Sequence, residues 1–410
     1  MAASSATVGR GPGPRFASAF RRVAGGFAVP LGSVVFAFVV GGLIVAITGG
    51  NPFAAYQGLM CGGLGIGCAN GENSALQIAT TIVYFTPLLM TGVAVALPFR
   101  AGLFNIGAEG QLLAGSVACT VIGIKFSSLP APILLPMVLL GGTLAGAIWA
   151  GVPGVLKATI GAHEVVTTIM LNYVAQWLVR YLIVGGPLQA ANGFSASSPI
   201  AAGARLPLFL PNDNNLIIFG LPAGVYRVHT GLLIGLVALV IFAILLWRTS
   251  LGYEIRAVGQ SQRAARYGGI NVARTIIVTM LIAGAFSGLA GAIQIAGVDH
   301  NLTDKYFNDT TGFDAIAVAL LGLGSAVGIL FASILFGALH AGGSVMQADA
   351  GISSSLVQIV QALILFSIAA NFLRVLRLPA FGRRPSAPAP TAPAAALMTE
   401  AAKAPPGETT

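Results

Sequence analysis

The stretch that decides the fold is Gly231-Leu-Leu-Ile-Gly-Leu-Val-Ala-Leu-Val-Ile-Phe-Ala-Ile-Leu-Leu-Trp247, which contains no Asp, Glu, Lys or Arg. A helix needs about 17 to 25 such residues to cross the hydrocarbon core of a bilayer. Of all 410 residues, 56% are apolar and 8% are charged, whereas a typical soluble domain has about 25% charged residues. This composition cannot provide a water-facing surface. The sequence therefore predicts an all-α, polytopic membrane protein.

Apolar runs recur along the chain and predict about ten transmembrane helices. They lie at 28–48, 76–98, 103–124, 131–151, 163–183, 231–247, 274–297, 311–323, 326–345 and 354–373. An even number of crossings leaves both termini on one side, and Lys and Arg then divide 16 to 5 in favour of that side. Cytoplasmic loops carry such an excess, so both termini are expected in the cytoplasm. The net charge of +9 is thereby explained without a nucleic-acid partner.

The run 311–323 is short for a full crossing and could be a re-entrant half-helix. In that case the arginines of 374–384 would lie outside the cell, which would reverse the charge rule at the C-terminus. We therefore expect a short or broken crossing, buried among other helices where irregular backbone is tolerated.

The chain is expected to form one membrane domain, at 28–375, with two terminal extensions. Residues 1–27 are expected to be a disordered cytoplasmic arm and 376–410 a disordered Pro/Ala-rich cytoplasmic tail, because neither can bury a core. Two connections are longer than helix hairpins: an outward loop at 185–229 and an inward loop at 249–272.

Two of the three cysteines, Cys61 and Cys68, lie in the predicted outward loop 49–73. They could form a disulfide in an oxidising exterior, or they could be two unrelated thiols, since spacing alone fixes no geometry. Cys119 lies within a predicted span.

A weak internal similarity links 104–116 to 313–325, where five of thirteen aligned residues are identical. The topology makes these two helices cross in opposite directions, as inverted repeats would. Chance is an equal explanation in a chain so rich in Gly, Ala and Leu. The motifs Gly142-x-x-x-Gly146 and Gly284-x-x-x-Gly288 predict close helix packing.

A carboxyl group within a span is costly and is therefore a functional candidate. A helix beginning near residue 103 would place Asn105, Glu109 and Ser116 on one face, suited to the translocation pathway of a hydrogen-bonding solute. The alternative is that Glu109 joins neighbouring helices as a structural group.

A second polar stripe begins at Glu164 and continues through Thr167, Thr168 and Asn172. It is suited to the pathway or to interhelical hydrogen bonds, while Glu164 also fits as an acid at a helix N-terminus. Asp314 is interpreted as a structural first-turn acid. The histidines at 163, 229, 300 and 340 have no metal-ligand spacing, and no metal site is expected.

The inward loop combines cations with small residues in an order that a plain positive-inside loop does not explain. Residues 262–267 predict a short polar helix flanked by glycines, where a partner protein could approach closely. The chain contains no Gly-x-x-x-x-Gly-Lys-Ser/Thr motif, so any ATP energy must come from another subunit. The candidate coupling residues are Glu254, Arg256, Gly259, Ala264, Ala265, Arg266 and Gly268.

At these residues the sequence resembles the permease family of bacterial ATP-binding cassette (ABC) importers for ribose, other simple sugars, nucleosides and branched-chain amino acids. It is most similar to the nucleoside branch, whose binding protein is a basic membrane lipoprotein. The motifs that carry the resemblance are Gly102-Leu-Phe-Asn-Ile-Gly-Ala-Glu-Gly-Gln-Leu-Leu-Ala-Gly-Ser116, Gly161-Ala-His-Glu-Val-Val-Thr-Thr-Ile-Met-Leu-Asn-Tyr173 and the loop end Ala-Ala-Arg-Tyr-Gly-Gly-Ile270.

The resemblance implies a non-catalytic, multi-pass subunit of the bacterial plasma membrane that imports a nucleoside by alternating access. The expected partners are an ABC ATPase that binds ATP and Mg, a second permease subunit and an extracytoplasmic solute-binding lipoprotein; this chain itself would bind no cofactor. In the family the inward loop docks on the ATPase. The alternatives are a simple-sugar ABC permease and an ion-coupled secondary transporter, whose buried carboxyls would titrate or bind cations.

Overall fold

A computed structural model describes residues 15–68, 73–191, 193–210, 216–307 and 310–369. A five-residue π-helical turn, Ile295–Asp299, continues the helix Val272–Gln294, and two short strands, β1 (Ile217–Ile218) and β2 (Leu221–Pro222), form a hairpin in the 185–229 loop. The helices are α1 (Arg15–Ile47), α2 (Pro52–Leu64), α3 (Ser74–Arg100), α4 (Ala108–Lys125), α5 (Ala131–Ile160), α6 (Glu164–Ile183), α7 (Gly231–Arg248), α8 (Ser250–Gln260), α9 (Gln262–Tyr267), α10 (Val272–Gln294), α11 (Thr311–Leu321), α12 (Ala326–Ala350) and α13 (Ser355–Ala369).

Each of the ten predicted segments contains a helix, which confirms the all-α membrane fold. Within the described part of the chain, six helices are long and apolar enough to cross a membrane: α1 from Pro30, α3, α5, α7, α10 with its π-helical turn, and α12. Helices α11 and α13 are apolar but shorter. The number of ten crossings therefore stays a prediction.

Helix α1 begins at Arg15, within the segment 1–27 expected to be a disordered arm, and the boundary of that arm stays a prediction. The segment 15–24 contains Ala, Phe and Arg and no proline, so the helix of the apolar run can extend toward the N-terminus one hydrogen bond at a time. Residues 1–14 and the predicted tail 376–410 lie outside the described residues.

The segment 49–73, predicted to be a loop, contains the helix α2. It begins after Asn51, whose side chain accepts hydrogen bonds from the amides of the first turn, and it packs against α12 and α3. A Cβ atom on Gly58 of α2 would lie 2.9 Å from Cα of Met346 of α12, so α2 and α12 are in backbone contact. At 13 residues α2 is too short for a span, which is why hydropathy gave no signal for it.

Cys61 and Cys68 form a disulfide, with their Cα atoms 4.8 Å apart. The bridge joins the last turn of α2 to the segment that leads toward α3. The structure thus decides between the two alternatives that the spacing left open. Cys119 is a buried free thiol.

Helix α4 begins at Ala108, later than expected, and this leaves Asn105 outside the helix. After α3 the chain turns at Gly102, whose φ of 72° lies in the left-handed region that glycine adopts readily. It then runs back beside α3, where the Asn105 side chain donates to the carbonyl of Ala94. Helix α4 therefore starts inside the bundle, with Glu109 in its first turn.

Helices α4 and α11 start at the same point in the interior and run apart. The amide of Gly312, in the first turn of α11, donates to Oε2 of Glu109 at 2.6 Å. Helix α4 ends beside the 185–229 loop, where the carbonyl of Gly123 accepts from the amide of Ala201. Helix α11 ends at the opposite end of the bundle, beside Arg100. Eleven residues span about 16 Å, roughly half a bilayer core, so α11 fits the expected broken crossing.

The opposite directions of α4 and α11 agree with the inverted arrangement that the topology suggested. The residue-by-residue alignment does not, because it pairs Ala108, the start of α4, with Ala317, in the middle of α11. The five identities are therefore no evidence of structural equivalence.

The two glycine motifs pack against each other where α5 crosses α10. A Cβ atom on Gly284 would lie 2.3 Å from the carbonyl oxygen of Gly146, and one on Gly288 would lie 2.4 Å from that of Gly142. At the same point, a Cβ atom on Gly115 of α4 would lie 2.1 Å from the oxygen of Gly288, and one on Gly142 would lie 3.0 Å from the oxygen of Gly115. Three helices thus meet at backbone distance.

Candidate functional site

Buried polar side chains surround the junction of α4 and α11. Glu109 is fully buried, and its carboxylate lies in the first turn of α4 while accepting from the first turn of α11. Both helix N-termini carry the positive end of the macrodipole, so this carboxylate stabilises both. Ser287 of α10 donates to the carbonyl of Ala108 at 2.6 Å and closes the junction from a third side.

Asn105 and Asn172 hold the non-helical segment that precedes α4. Asn105 exchanges hydrogen bonds with Gln111 in both directions, at 2.8 and 3.2 Å. Asn172 of α6 accepts from the amide of Gly110 and donates to the carbonyl of Ile106, both at 2.8 Å. These amide side chains satisfy backbone groups that would otherwise be unpaired in the interior.

The remaining members of the predicted pathway set also make structural contacts. Ser116 donates to the carbonyl of Gly291. Glu164 forms an ion pair with Lys157 at 2.7 Å, and Thr167 and Thr168 donate to the carbonyl of Glu164 within α6. The structure thus brings Asn105, Glu109 and Asn172 together, whereas Glu164 lies apart from them. Their role in the pathway stays a prediction.

A polar cleft, the Tyr84 cleft, opens among five helices and has a volume of about 280 Å³. A second cavity of about 240 Å³ shares Tyr84, Gln294 and Lys305 with it and reaches Arg227 of the 185–229 loop. The Tyr84 cleft therefore adjoins the end of the bundle where that loop lies. Its lining residues are Tyr84, Pro87, Leu88, Leu112, Gln294, Lys305, Thr311 and His340.

An aromatic pair forms one wall of the Tyr84 cleft, and a carboxylate that does not line the cleft supports it from behind. The rings of Tyr84 and His340 stack at a centroid distance of 5.6 Å and an interplanar angle of 18°. Nε2 of His340 lies 2.9 Å from Oδ2 of Asp314, which also accepts from Thr310. Asp314 does lie in the first turn of α11, as a structural acid would, and its pairing with His340 gives it a second role at the cleft.

Asp299 organises the opposite wall. Its carboxylate accepts from Gln294 at 3.1 Å and from Tyr306 at 2.5 Å, and it forms an ion pair with Lys305. These contacts depend on the π-helical turn at the end of α10, followed by His300 with a φ of 59°. Such π-helical turns are frequent at functional sites.

A polar groove continues from His340 between α12 and α13, with a volume of about 250 Å³. Glutamine and serine side chains facing lipid would lose their hydrogen bonds to water, which is costly. The groove therefore fits a water-filled path or the contact with another subunit. Besides His340 and Gly343, its lining consists of Ser344, Gln347, Ser354, Val357, Gln358 and Gln361.

Sequence reasoning missed Tyr84, Gln294 and His340, although a signal existed for two of them. Gln294 and His340 interrupt apolar runs, and a polar group inside a span marks a pathway as a carboxyl group does. Tyr84 has no such signal, since an aromatic residue in a span is usually lipid-facing or packed.

The inward loop folds into α8 and α9, and the predicted coupling residues divide between two faces. Ala264, Arg266 and Gly268 are exposed on α9, next to Tyr267, whose side chain is 94% exposed. Ala265 is buried. The α8 residues face the bundle: Glu254 accepts from Thr275, Arg256 stacks on Trp247, and Gly259 packs on the backbone of Arg100.

The end of the bundle at the 185–229 loop contains a buried histidine, whose titration should make stability depend on pH. Burial, and then the charge of His300, lower the pKa of His229 to about 4, and its Nδ1 accepts from the amide of Gly231. Because the folded pKa lies below the unfolded value of about 6.5, this stability is complete above pH 6.5 and is lost as pH falls toward 4. We expect a loss of roughly 3 kcal/mol at pH 4.

Thermal unfolding of the purified protein between pH 7.5 and 4.5 measures this dependence. His229→Asn keeps a hydrogen-bond acceptor without a titrating ring, so its unfolding temperature should fall less on acidification than that of the wild type. An equal fall in both proteins would contradict the assignment to His229.

A bundle of long apolar helices around a polar, partly charged cleft defines a multi-pass membrane permease. The chain belongs to the family of permease components of branched-chain amino acid transport systems, whose model matches residues 77–369. Permease subunits of ABC transporters are generally non-catalytic. No solved structure matches this chain.

Three curated relatives match most of the chain. The guanosine ABC transporter permease protein NupP of Bacillus subtilis is 37% identical over 344 residues, covering 84% of this chain and 93% of the relative. The nucleoside ABC transporter permease protein NupB of Lactococcus lactis is 36% identical, covering 86% and 93%. The glucose ABC transporter permease protein TsgB13 of Haloferax volcanii is 37% identical, covering 87% and 91%.

Proposed function

We propose that this chain is the transmembrane permease subunit of an ABC importer that moves a nucleoside into the cytoplasm by alternating access. It lies in a bacterial plasma membrane with both termini in the cytoplasm. A separate ATPase binds ATP and Mg, a second permease subunit completes the path, and a solute-binding lipoprotein delivers the solute from outside. The similarity to the guanosine and nucleoside permeases supports this assignment.

The observation that carries the nucleoside assignment is the stacked pair of Tyr84 and His340. A nucleoside has a flat aromatic base, which stacks on an aromatic side chain with about 1–3 kcal/mol. It also has ribose hydroxyls, which suit the hydrogen-bonding side chains of Gln294 and Thr311 that line the same cleft. The half-buried rings contribute the apolar contact, and the polar groups orient the solute.

The path continues along the groove between α12 and α13, and the second permease subunit covers it. The polar lining of that groove supports a subunit contact rather than lipid. The buried residues around Glu109 act on the path indirectly, because they fix the start of α11, whose Thr311 borders the Tyr84 cleft. The exposed residues of α9 dock on the ATPase.

A simple sugar is the second candidate, favoured by the similarity to the glucose permease. A sugar would use Gln294 and Thr311 but would depend less on a stacked aromatic pair. An ion-coupled mechanism is the third possibility, and the energy source separates it from the other two.

The test is uptake of labelled guanosine by proteoliposomes that contain the full complex, with ATP enclosed or absent. We expect uptake only with ATP, competition by excess nucleosides and no competition by excess glucose. ATP-dependent uptake of labelled glucose, with no uptake of labelled guanosine, would assign a sugar importer. Uptake without ATP under a proton gradient would assign a secondary transporter.

We expect Tyr84→Leu to weaken nucleoside transport by roughly tenfold, because it removes a stacking interaction worth about 1–3 kcal/mol. Tyr84→Phe keeps the ring and should retain most of the activity. Tyr173 is a matched control, since it is an exposed tyrosine of α6 away from the Tyr84 cleft. Initial uptake rates over a range of guanosine concentrations measure the effect, and equal losses in the Tyr84→Leu and Tyr173→Leu proteins would contradict it.

A further inference from the structure

Arg100, at the end of α3, lies where the inward loop meets the turn between α11 and α12. Its Nε donates to the carbonyl of Gly324 at 3.2 Å, and its Nη2 donates to the carbonyls of Leu323 and Gly324, both at 2.9 Å. One guanidinium group thus binds two successive carbonyls of this turn. A lysine ammonium has three donors, but all on one freely rotating nitrogen, so it would not provide the fixed planar set of hydrogen bonds from two nitrogens that Arg100 makes here.

The turn that Arg100 binds has an unusual backbone. Leu323 has a φ of 52° and Gly324 a φ of 59°. Residues other than glycine rarely adopt the left-handed region, so the conformation of Leu323 must be held by its surroundings. The three hydrogen bonds from Arg100 provide that hold.

The same arginine is attached to the inward loop on its other side. A Cβ atom on Gly259 of α8 would lie 2.1 Å from the carbonyl oxygen of Arg100, so α8 packs directly on the end of α3. The Trp247 ring lies 5.9 Å from Cζ of Arg100 and 4.7 Å from Cζ of Arg256 of α8. Nη1 of Arg256 is buried and has no hydrogen-bond partner among the described residues, so its ring contact is the interaction that fixes it.

The elements that meet at Arg100 lead to the Tyr84 cleft. Helix α3 contains Tyr84 itself, α11 begins at Thr311 on the cleft, and α12 contains His340. A displacement of α8 therefore reaches α3 through their backbone contact, and it reaches the turn between α11 and α12 through the Arg100 side chain. Without Arg100, α3 would still pack against α11 and α12, but the turn at Leu323 would lose the side-chain hydrogen bonds that tie it to the end of α3.

We propose that Arg100 is the positioning residue that couples the inward loop to the turn between α11 and α12, so that movement of α8 displaces α11 and α12 at the Tyr84 cleft. This inference rests on the proposed function, in which the inward loop docks on an ATPase and is moved by it. Arg100 touches no solute and no nucleotide in this role.

The first test compares solute imported per ATP hydrolysed in proteoliposomes with the full complex. We expect Arg100→Ala to lower this ratio by about tenfold, the size of a typical coupling between two sites, while ATP hydrolysis continues. Arg100→Lys, which keeps the charge but not the paired hydrogen bonds, should give an intermediate ratio. Arg248→Ala is the matched control, because Arg248 is exposed at the end of α7 on the same side, and it should leave the ratio unchanged.

The second test measures the distance between spin labels at Tyr253→Cys on α8 and Leu323→Cys, both of which are exposed positions. The label at 323 leaves the carbonyl that accepts from Arg100 in place. We expect one narrow distance distribution with Arg100, a broad one with Arg100→Ala or Arg100→Lys, and an unchanged one with Arg248→Ala. Because Cys61 and Cys68 are bridged and Cys119 is buried, the labels report on the two introduced thiols.

The proposal requires both effects, so an unchanged ratio or an unchanged distribution in the Arg100 variants overturns it. If the Arg100→Ala protein cannot be purified, the same two measurements on Arg100→Lys decide whether the proposal stands. If the wild-type complex imports no solute, the proposed function fails, and the label distances alone then decide the role of Arg100.

Discussion

Replacing Glu109 with alanine is expected to destabilise the protein more than any other single loss of a side-chain hydrogen bond. The carboxylate is fully buried and accepts the 2.6 Å hydrogen bond from the amide of Gly312. Its removal leaves a buried donor without a partner and two helix N-termini without a compensating charge. A loss of about 3 kcal/mol is expected from an unmet buried donor of this kind. The folded fraction after detergent extraction and the unfolding temperature measure it.

Two variants make the Glu109 prediction specific. Glu109→Gln retains an oxygen that can accept from Gly312 and loses only the charge, so it should lie between wild type and alanine. Glu164→Ala is the matched control, since Glu164 also lies in a first helix turn but pairs with the partly exposed Lys157. A loss of at most about 1 kcal/mol is expected there. Equal losses in Glu109→Ala and Glu164→Ala would contradict the structural role of the junction.

Hydropathy predicted the long helices well, because the preference of an apolar segment for lipid over water does not depend on which other helices the segment packs against. The runs at 231–247 and 131–151 became α7 and α5, since an uncharged stretch in lipid must pair its backbone groups within a helix. The same logic could not find α2, whose 13 residues are stabilised by contacts with α12 and α3. It also misplaced the start of α4, which depends on the turn at Gly102.

The candidate site was less predictable because it depends on contacts between distant segments. Asn105, Glu109 and Asn172 were recognised as polar residues in spans, yet their partners lie on other helices, and those contacts are structural. The pairing of His340 with Asp314 joins two helices through a distance that no local pattern encodes. Polar residues in spans could thus be found from the sequence, but their division into junction and cleft could not.

Replacing Gly288 with alanine is expected to separate α10 from α5 and α4. The added methyl would lie 2.4 Å from the carbonyl oxygen of Gly142 and 2.7 Å from Cα of Gly146. Both are backbone atoms, so no side-chain rotation relieves the clash, and the helices themselves must move. Overpacking costs typically 1–3 kcal/mol, and backbone contact places this case at about 3 kcal/mol. The unfolding temperature and the monodisperse fraction on size exclusion should both fall.

Gly235→Ala is the matched control for the glycine crossing. Gly235 is also a buried glycine in the middle of a helix, but a Cβ atom there would meet side-chain atoms of Met90 and Leu89 at 3.6 and 3.7 Å, which is ordinary contact. Alanine is favoured over glycine within a helix by about 0.5–1 kcal/mol, so Gly235→Ala should be neutral or stabilising. Lipid provides no hydrophobic force between helices, which leaves close backbone packing to hold α5 and α10 together. If Gly288→Ala proved as stable as Gly235→Ala, the association of these helices would have to depend on other contacts.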